Sequence, residues 1–344
     1  LGLQLQRDLQ MAISEYAPGS QIVANGNLIT SRYIRKIPSM SWKMYDYINC
    51  NACKTINIEP HTAEEEYSKL TNCRQCGNIF SVSKRKIFLV PAFGFEADGD
   101  KIEKPGLIKP EKTYRSDTAY VGNKTNIPVL LRIGSADVEL IISNSDEMVV
   151  LNESNFFVCE YCGFTDLDEK YSLRYKKMAH KTPTGYKCKN NGQNQLKKFH
   201  LGYRFETDVV QLRFLNPDLT DWDSSISVLY AVLKGICMYL NIEQNDISGC
   251  LQYFFNTGTK RANFALVLYD KTPGGAGHVR QLNNQDVLEG IAKEALQSME
   301  SCSCGGESKD SSCYSCLRSY YNQKHHDILK RNYAIDFLTG LFAK

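Results

Sequence analysis

No apolar run in this chain approaches the ~20 residues that span a bilayer as a helix. The longest candidate, Val228 to Leu240, is short and contains Lys234, so no membrane is expected among the partners. A large net charge is missing too. Lys and Arg number 41 and Asp and Glu 38, which leaves +3. That excludes a histone-like polycation but not a local basic surface. There is no GxxxxGK-S/T loop and no acidic DExx box, and PGGAGHVR lacks the Lys that would reach β- and γ-phosphates. The chain therefore carries no ATPase motor of the helicase type. It opens Leu-Gly-Leu, without Met and without a basic-then-apolar leader, so a cytoplasmic segment cut from something longer is expected. With 344 residues, 42% apolar and 23% charged, it can bury a core over roughly two to three domains.

Cysteine is what the chain has in excess. There are thirteen, an odd number, mostly in Cys-x-x-Cys or Cys-x-Cys pairs. Such pairs in a reducing compartment read as zinc ligands rather than a disulfide framework. A short spacer lets one tight turn aim two thiolates at one ion, and a second turn closes the tetrahedron. Cys50, Cys53, Cys73 and Cys76 form two such turns nineteen residues apart, a ribbon spacing. Cys302, Cys304, Cys313 and Cys316 form a tighter set, with Gly305 and Gly306 permitting a sharp return. Cys159, Cys162 and Cys188 make a third set that needs a fourth ligand. His180 is preferred over His200, because Pro183 and Gly185 suit a loop returning to the metal. A three-ligand middle site holding water would be catalytic in character. Two to three zinc ions per chain are expected. Cys237 and Cys250, among apolar neighbours, read as small buried hydrophobes.

Residues 170–204 hold ten cations and no Asp or Glu: Lys170, Arg174, Lys176, Lys177, Lys181, Lys187, Lys189, Lys197, Lys198 and Arg204. Tyr171, Tyr175, Tyr186, Phe199 and Tyr203 are interleaved. Cations track phosphates and aromatic faces accept unstacked bases, so this window is the candidate nucleic-acid surface, against a bland reading as a solvated loop round a metal. Arg32, Arg35, Lys36 and Lys43 form a smaller basic set. The string PGGAGH, Pro273 to His278, offers Gly274, Gly275, Gly277 and His278 as an anion-contact candidate through glycine amides. The bland alternative is a strand-to-helix turn needing positive φ.

Residues 4–16 have helical spacing and end at a Pro-Gly breaker. Gln21–Ala24 and Leu28–Ser31 flank Asn25-Gly26, a hairpin signal. Residues 97–112, rich in Gly, Pro and charge, read as a loop. Residues 129–142 and 146–151 read as strands, with turns at Gly134-Ser135 and Asn144-Ser145. Alternation over Asp208 to Phe214 sets Val210, Leu212 and Phe214 on one face and Gln211 and Arg213 on the other. Asp223 or Ser224 can cap a helix to about Leu240. Strands are expected at 247–256 and 262–270, and helices at 284–300 and 324–342.

Several strings now stand in order: RDLQMAISEYAPG, CxxC…CxxC, Gly94-Phe95, CxxCG…H…C, LGYRFETDVV, LYDKTPGGAGH and CSC…CYSCLRSYYNQKHHDILKR. Together they resemble the MrfA-type zinc-binding domain, a C-terminal module of superfamily-two DNA helicases. The versions in DrmB-like and DruE-like phage-defence proteins are nearer still. The likeness covers nearly the whole chain, most specifically residues 200–331. It implies an accessory module beside a motor, working on DNA in repair or antiviral defence. The four terminal cysteines match its zinc site, and Asn322, Gln323, His326, Leu329 and Arg331 match its tail. Tyr203 stands where relatives often carry His after Leu-Gly.

The expected class is α+β. A β-rich module at 1–155 holds the first zinc ribbon (50–76), a central basic zinc knuckle occupies 156–205, and an α/β unit at 206–344 carries the glycine loop and the terminal four-cysteine site with its helix. The expected function is a noncatalytic zinc-stabilised DNA-binding and docking module, with no catalytic residue. Its partners are DNA, single strands included, and a helicase motor in cis or as another subunit. The competing readings are a metal-dependent nuclease at the middle site, with Asp166, Asp168 and Glu169 close by, and a pure protein-interaction scaffold.

Overall fold

A computed structural model describes residues 4–62, 70–81, 84–106, 116–122, 126–167, 179–190 and 196–343. Its first half runs α1 (Leu9–Glu15), β1 (Gln21–Ala24), β2 (Asn27–Ile34), β3 (Met44–Asn49), β4 (Ile56–Pro60), β5 (Lys86–Leu89), β6 (Phe95–Glu103), β7 (Ser116–Tyr120), β8 (Val129–Ile133), β9 (Ala136–Val158) and β10 (Thr165–Leu167). Then follow β11 (Lys197–Phe214), α2 (Trp222–Leu240), β12 (Ile247–Asn256), β13 (Arg261–Asp270), α3 (Gln285–Ser301) and α4 (Arg331–Phe342). The class is mixed α+β with a β-rich N-terminal half.

The chain divides into two compact units. One comprises Leu1–Asn49, Ile56–Thr118 and Val149–Arg204; the other comprises Cys50–Thr55, Ala119–Met148 and Phe205–Lys344.

In the first unit α1 is shorter than its periodic signal, because Asp8 caps it: the carboxylate accepts the Met11 amide at 2.9 Å. Asn25 (φ 50°) and Gly26 (φ 70°) make the two-residue turn between β1 and β2, as that dipeptide predicts. The segment read as a loop from Ala97 is instead strand as far as Glu103, pairing antiparallel with β2. Composition argued against a strand, but β2 presents a free edge whose amides and carbonyls need partners. β3 pairs with β4 and β5, and β5 runs parallel to β11 at His200 and Leu201. Ile13, Ile34, Leu89, Phe156, Val158 and Leu201 form the core of this unit.

In the second unit β8 and β9 turn at Gly134, as read, but Asn144-Ser145 does not reverse the chain. β9 runs through it with Ser145 at φ 55°. The polar groups are satisfied in place: Ser145 Oγ donates to Glu206 at 2.8 Å, and Asp146 accepts Ser143 Oγ at 2.7 Å and the Tyr120 hydroxyl at 2.6 Å. β11 pairs with β13, and β13 with β12. Gln211, placed on the polar face of β11 by alternation, is buried too.

Asp221, not Asp223 or Ser224, caps α2, its carboxylate accepting the Ser224 amide at 2.9 Å. α2 is long and apolar enough to cross a bilayer by composition. Ten of its residues are buried in the core with α3 and α4, which accounts for that character. Gly235 permits the approach of α3, since a Cβ there would lie 2.6 Å from the Ile291 carbonyl oxygen. The final helix begins at Arg331; residues 320–325 form a 3-10 turn with a Ser319/Asn322 capping box.

Candidate metal centres and nucleic-acid interface

All three cysteine sets converge. In each of Cys50/Cys53/Cys73/Cys76, Cys159/Cys162/His180/Cys188 and Cys302/Cys304/Cys313/Cys316, one ligand atom per residue lies within 4.8 Å of the others. Metal–sulfur bonds of about 2.3 Å in a tetrahedron require sulfur–sulfur edges near 3.8 Å. In the terminal set, sulfur 302 is 3.5 Å from both 304 and 313, 304 is 3.6 Å from 316, and 313 is 3.9 Å from 316. The donors and their spacing therefore fit one zinc ion per set.

Tight turns do the aiming. Cys50 and Cys53 sit in the turn between β3 and β4, where the Lys54 amide donates to the Cys50 carbonyl. Gly77 (φ 71°) returns its amide to the Cys73 carbonyl. Asn57, fully buried, donates to Cys73 Sγ at 3.6 Å and accepts the Arg74 amide at 2.9 Å. In the middle set Gly163 (φ 78°) returns to the Cys159 carbonyl, and a Cβ there would strike the Ile34 carbonyl oxygen at 2.0 Å.

His180, not His200, completes the middle set. Its ring stacks on Phe164 with centroids 4.5 Å apart, and the Cys188 amide donates to its carbonyl. Asn190 donates its backbone amide to Cys188 Sγ at 3.4 Å and its side-chain amide to Cys159 Sγ at 3.5 Å. Such donors steady thiolates. Hydrogen bonding from Cys162, then from His180 and Asn190, outweighs burial and draws the Cys159 thiol down to about 3. His200 lies on β11 with its ring edge-on to Tyr47. Burial pushes its imidazole below the usual range, against the pull of the Glu153 charge.

In the terminal set burial raises Cys313, but the Ser315 backbone and Cys302 bring it net down to about 6. Burial pushes Cys316 up to about 12. Cys237 is half-buried, and burial pushes its thiol up to about 11, as suits an inert side chain.

The tail motif is a brace for this knuckle. Arg331, 1% exposed, donates to the Met299 carbonyl at 2.7 Å and to the Cys304 carbonyl. The first is in the last turn of α3, where the helix dipole favours a cation. Asn322 donates to the Leu317 carbonyl at 2.8 Å and accepts the Ser319 amide at 2.8 Å. His326 Nε2 faces two acceptors, Ser319 O at 3.1 Å and Asn322 Oδ1 at 3.0 Å, so that nitrogen carries the proton. Gln323 donates to the Tyr320 carbonyl at 3.2 Å.

The glycine loop holds an anion, but its own. The buried carboxylate of Asp270 accepts the amides of Ala276 at 2.7 Å, His278 at 3.1 Å and Val279 at 3.0 Å. Gly274 and Gly275 give their amides to the Glu206 and Thr272 carbonyls. These bonds take up the amides of Gly274, Gly275 and His278, three of the four residues expected as an anion contact. The signal that could have found it is an acid at the strand end just ahead of PGGAGH.

Of the basic window, Arg174, Lys176 and Lys177 lie outside the described residues, as do Lys170, Tyr171 and Tyr175. Lys181, Lys187 and Lys189 are exposed on the loop that carries His180 and Cys188, beside Tyr186 at 76% exposure. Lys189 Nζ sits 5.6 Å over the Tyr161 ring. Lys198 is exposed, whereas Lys197 pairs with Glu160 at 2.7 Å and Arg204 stacks over Tyr45 at 4.6 Å. In the smaller set Arg32 pairs with Asp166 and Arg35 with Glu96, both at 3.2 Å, and Lys36 sits over Trp42.

Comparison with known proteins places these features. The Druantia protein DruE of Escherichia coli (strain UMEA 4076-1) is 24% identical over 371 aligned residues, covering 97% of this chain and 19% of the relative. The chain thus spans about a fifth of that relative's length. The crystal structure of the DUF1998 helicase MrfA bound to DNA matches 70% of this chain and 26% of its own, at 15% identity and a TM-score of 0.32, too low to establish a shared fold. Residues 228–317, from α2 through the glycine loop to just past Cys316, match the family described as MrfA Zn-binding domain. That segment of the chain is similar to the MrfA-type zinc-binding domain.

Proposed function

We propose that this chain is a noncatalytic, zinc-stapled module that binds DNA and docks beside a helicase or translocase motor, as part of a larger cytoplasmic protein. Three zinc ions, one per ligand set, hold its loops. The observation that carries the DNA-binding reading is the middle knuckle. Four metal ligands fix a short loop from which Lys181, Lys187, Lys189 and Tyr186 face solvent. Cations fixed on a rigid loop meet a phosphate backbone without first losing the entropy of ordering it. The zinc-binding domain at 228–317 and the DruE relative support the association with a helicase system of repair or defence.

A nuclease at the middle site needs an open coordination position and a free carboxylate. His180 stands with the three cysteines as a fourth donor, and Asp166 is paired with Arg32; Asp168 and Glu169, the other acids of that reading, lie outside the described residues. The scaffold reading is separated by salt. We expect affinity for a labelled single strand, followed by fluorescence anisotropy, to fall steeply from 50 to 200 mM salt, roughly as the number of phosphates neutralised. The variant K187E/K189E should bind weakly with its zinc content intact. Binding indifferent to salt and to both reversals would sink the proposal.

A further inference from the structure

Beside the terminal knuckle three tyrosines are exposed well beyond the needs of packing: Tyr314 at 65%, Tyr320 at 44% and Tyr321 at 47%. They are not loose. Tyr314 lies edge-on to His326, with centroids 5.6 Å apart, and His326 is locked to Ser319 and Asn322, the pair that caps the turn bearing Tyr320 and Tyr321. Tyr320 and Tyr321 stand at 90° to one another, 5.6 Å apart. Lys271 Nζ sits 3.6 Å from the Tyr321 ring centroid, which fixes one face of that ring. Lys234 Nζ reaches the Ser315 carbonyl on the same knuckle. Between residues 313 and 330 the chain carries Arg318, Lys324 and Lys330 against Asp327 alone, with Asp246 the acid next to Lys271.

Rings held rigid and exposed, one of them with a lysine over its face and further cations in the same stretch of chain, have the chemistry of a stacking platform. Unstacked bases lie on aromatic faces while the backbone follows positive charge, with little dependence on sequence. We infer that the terminal knuckle carries a second strand-binding face, formed by Tyr314, Tyr320 and Tyr321 with Lys271 and Lys324, and that its occupant is single-stranded DNA. The inference rests on the DNA-binding reading above and extends it to the zinc-binding domain itself. Duplex DNA, its bases already stacked, gains nothing from these rings.

The test uses the full chain, a labelled oligothymidylate, a duplex of equal length and an oligouridylate. Y314A and Y321A are each expected to weaken oligothymidylate binding by roughly fivefold to a hundredfold, the range that base–aromatic stacking supplies. Y321F keeps wild-type affinity, and duplex binding and zinc content do not move. A bromodeoxyuridine-substituted strand, irradiated on the wild-type protein, crosslinks to a peptide within 313–325. That measurement does not depend on any variant folding. If the wild type binds the strand while both alanine variants bind equally well, or crosslinks fall only in 179–204, this face is wrong and the middle knuckle stands. Losses confined to oligouridylate would assign the face to RNA and overturn it for DNA. A wild type that binds no strand overturns both readings.

Discussion

Asp270 and Ala276 are joined by a 2.7 Å hydrogen bond in which a fully buried carboxylate accepts a backbone amide of the glycine loop. With His278 and Val279 the same group takes three amides at once. The loop is therefore organised round an internal anion. D270A should leave these donors unpaired and lower the unfolding free energy by about 3 kcal/mol, since hydrogen bonds to charged groups are each worth roughly 1.5–3 kcal/mol. Urea unfolding measures this; a loss below about 1 kcal/mol would mean the loop is held by something else. Inorganic phosphate, for its part, should not raise the melting temperature through this loop.

Two neighbouring glycines should differ in a way their positive φ angles alone do not predict. Gly274 (φ 86°) has open space where a Cβ would go, whereas at Gly275 (φ 81°) that atom would fall 2.2 Å from Asp208 Oδ2. G274A should cost about 1 kcal/mol, the left-handed penalty for a residue with a Cβ. G275A pays the same penalty and must also displace a buried carboxylate that pairs with Arg280 at 2.9 Å. Equal melting temperatures for the two variants would contradict this packing.

Metal content separates the two histidines. We expect three zinc ions per chain by inductively coupled plasma mass spectrometry, and a loss of one in H180A. H200A should keep all three. C313S should lose the terminal ion and unfold that module, because metal affinity is folding energy in such a site. Zinc retained in H180A would reopen the fourth position of the middle set.

Arg331 is a brace, and its removal should be felt at the metal. R331M keeps bulk but leaves the Met299 and Cys304 carbonyls without their donor. Stability should fall by about 2–3 kcal/mol, the worth of hydrogen bonds from a charged donor. Zinc should also leave the terminal set at lower chelator concentration, read with a colorimetric chelator. Unchanged chelator sensitivity would confine the role of Arg331 to packing.

The pH dependence has a defined sign at His200. Its folded pKa is lowered by burial, so below the unfolded value of about 6.5 the unfolded chain binds a proton that the folded chain does not. Stability is therefore lost as pH falls from 7 to 5, and H200F should flatten that slope in urea titrations. A slope identical to wild type would place the titrating group elsewhere.

Much of the site was legible in the sequence, because a metal knuckle is a local object. The spacings 50/53, 73/76, 159/162 and 302/304/313/316 are those that bring donors round one ion, and His180 followed from a Pro-Gly return to Cys188. The Asn25-Gly26 hairpin and the amphipathic helices were legible for the same reason, since their signals lie within a few residues. Less legible were the features whose partners lie far along the chain. β6 is a strand because β2 offers it an edge, although its own composition argues for a loop. Asn144-Ser145 has turn chemistry that the strand absorbs, because Glu206 satisfies Ser145 from 61 residues away.

What the sequence determined by itself, then, is which candidate metal donors converge, because covalent spacing sets how they can meet. Tertiary structure alone decided what those knuckles leave free. It filled the glycine loop with Asp270, engaged Lys197 and Arg204 while Lys187 and Lys198 stayed exposed, and set Lys271 against the Tyr321 ring. Burial and charge pairing are sums over residues distant in sequence, so only the folded chain fixes which polar groups are spent inside and which remain for a partner.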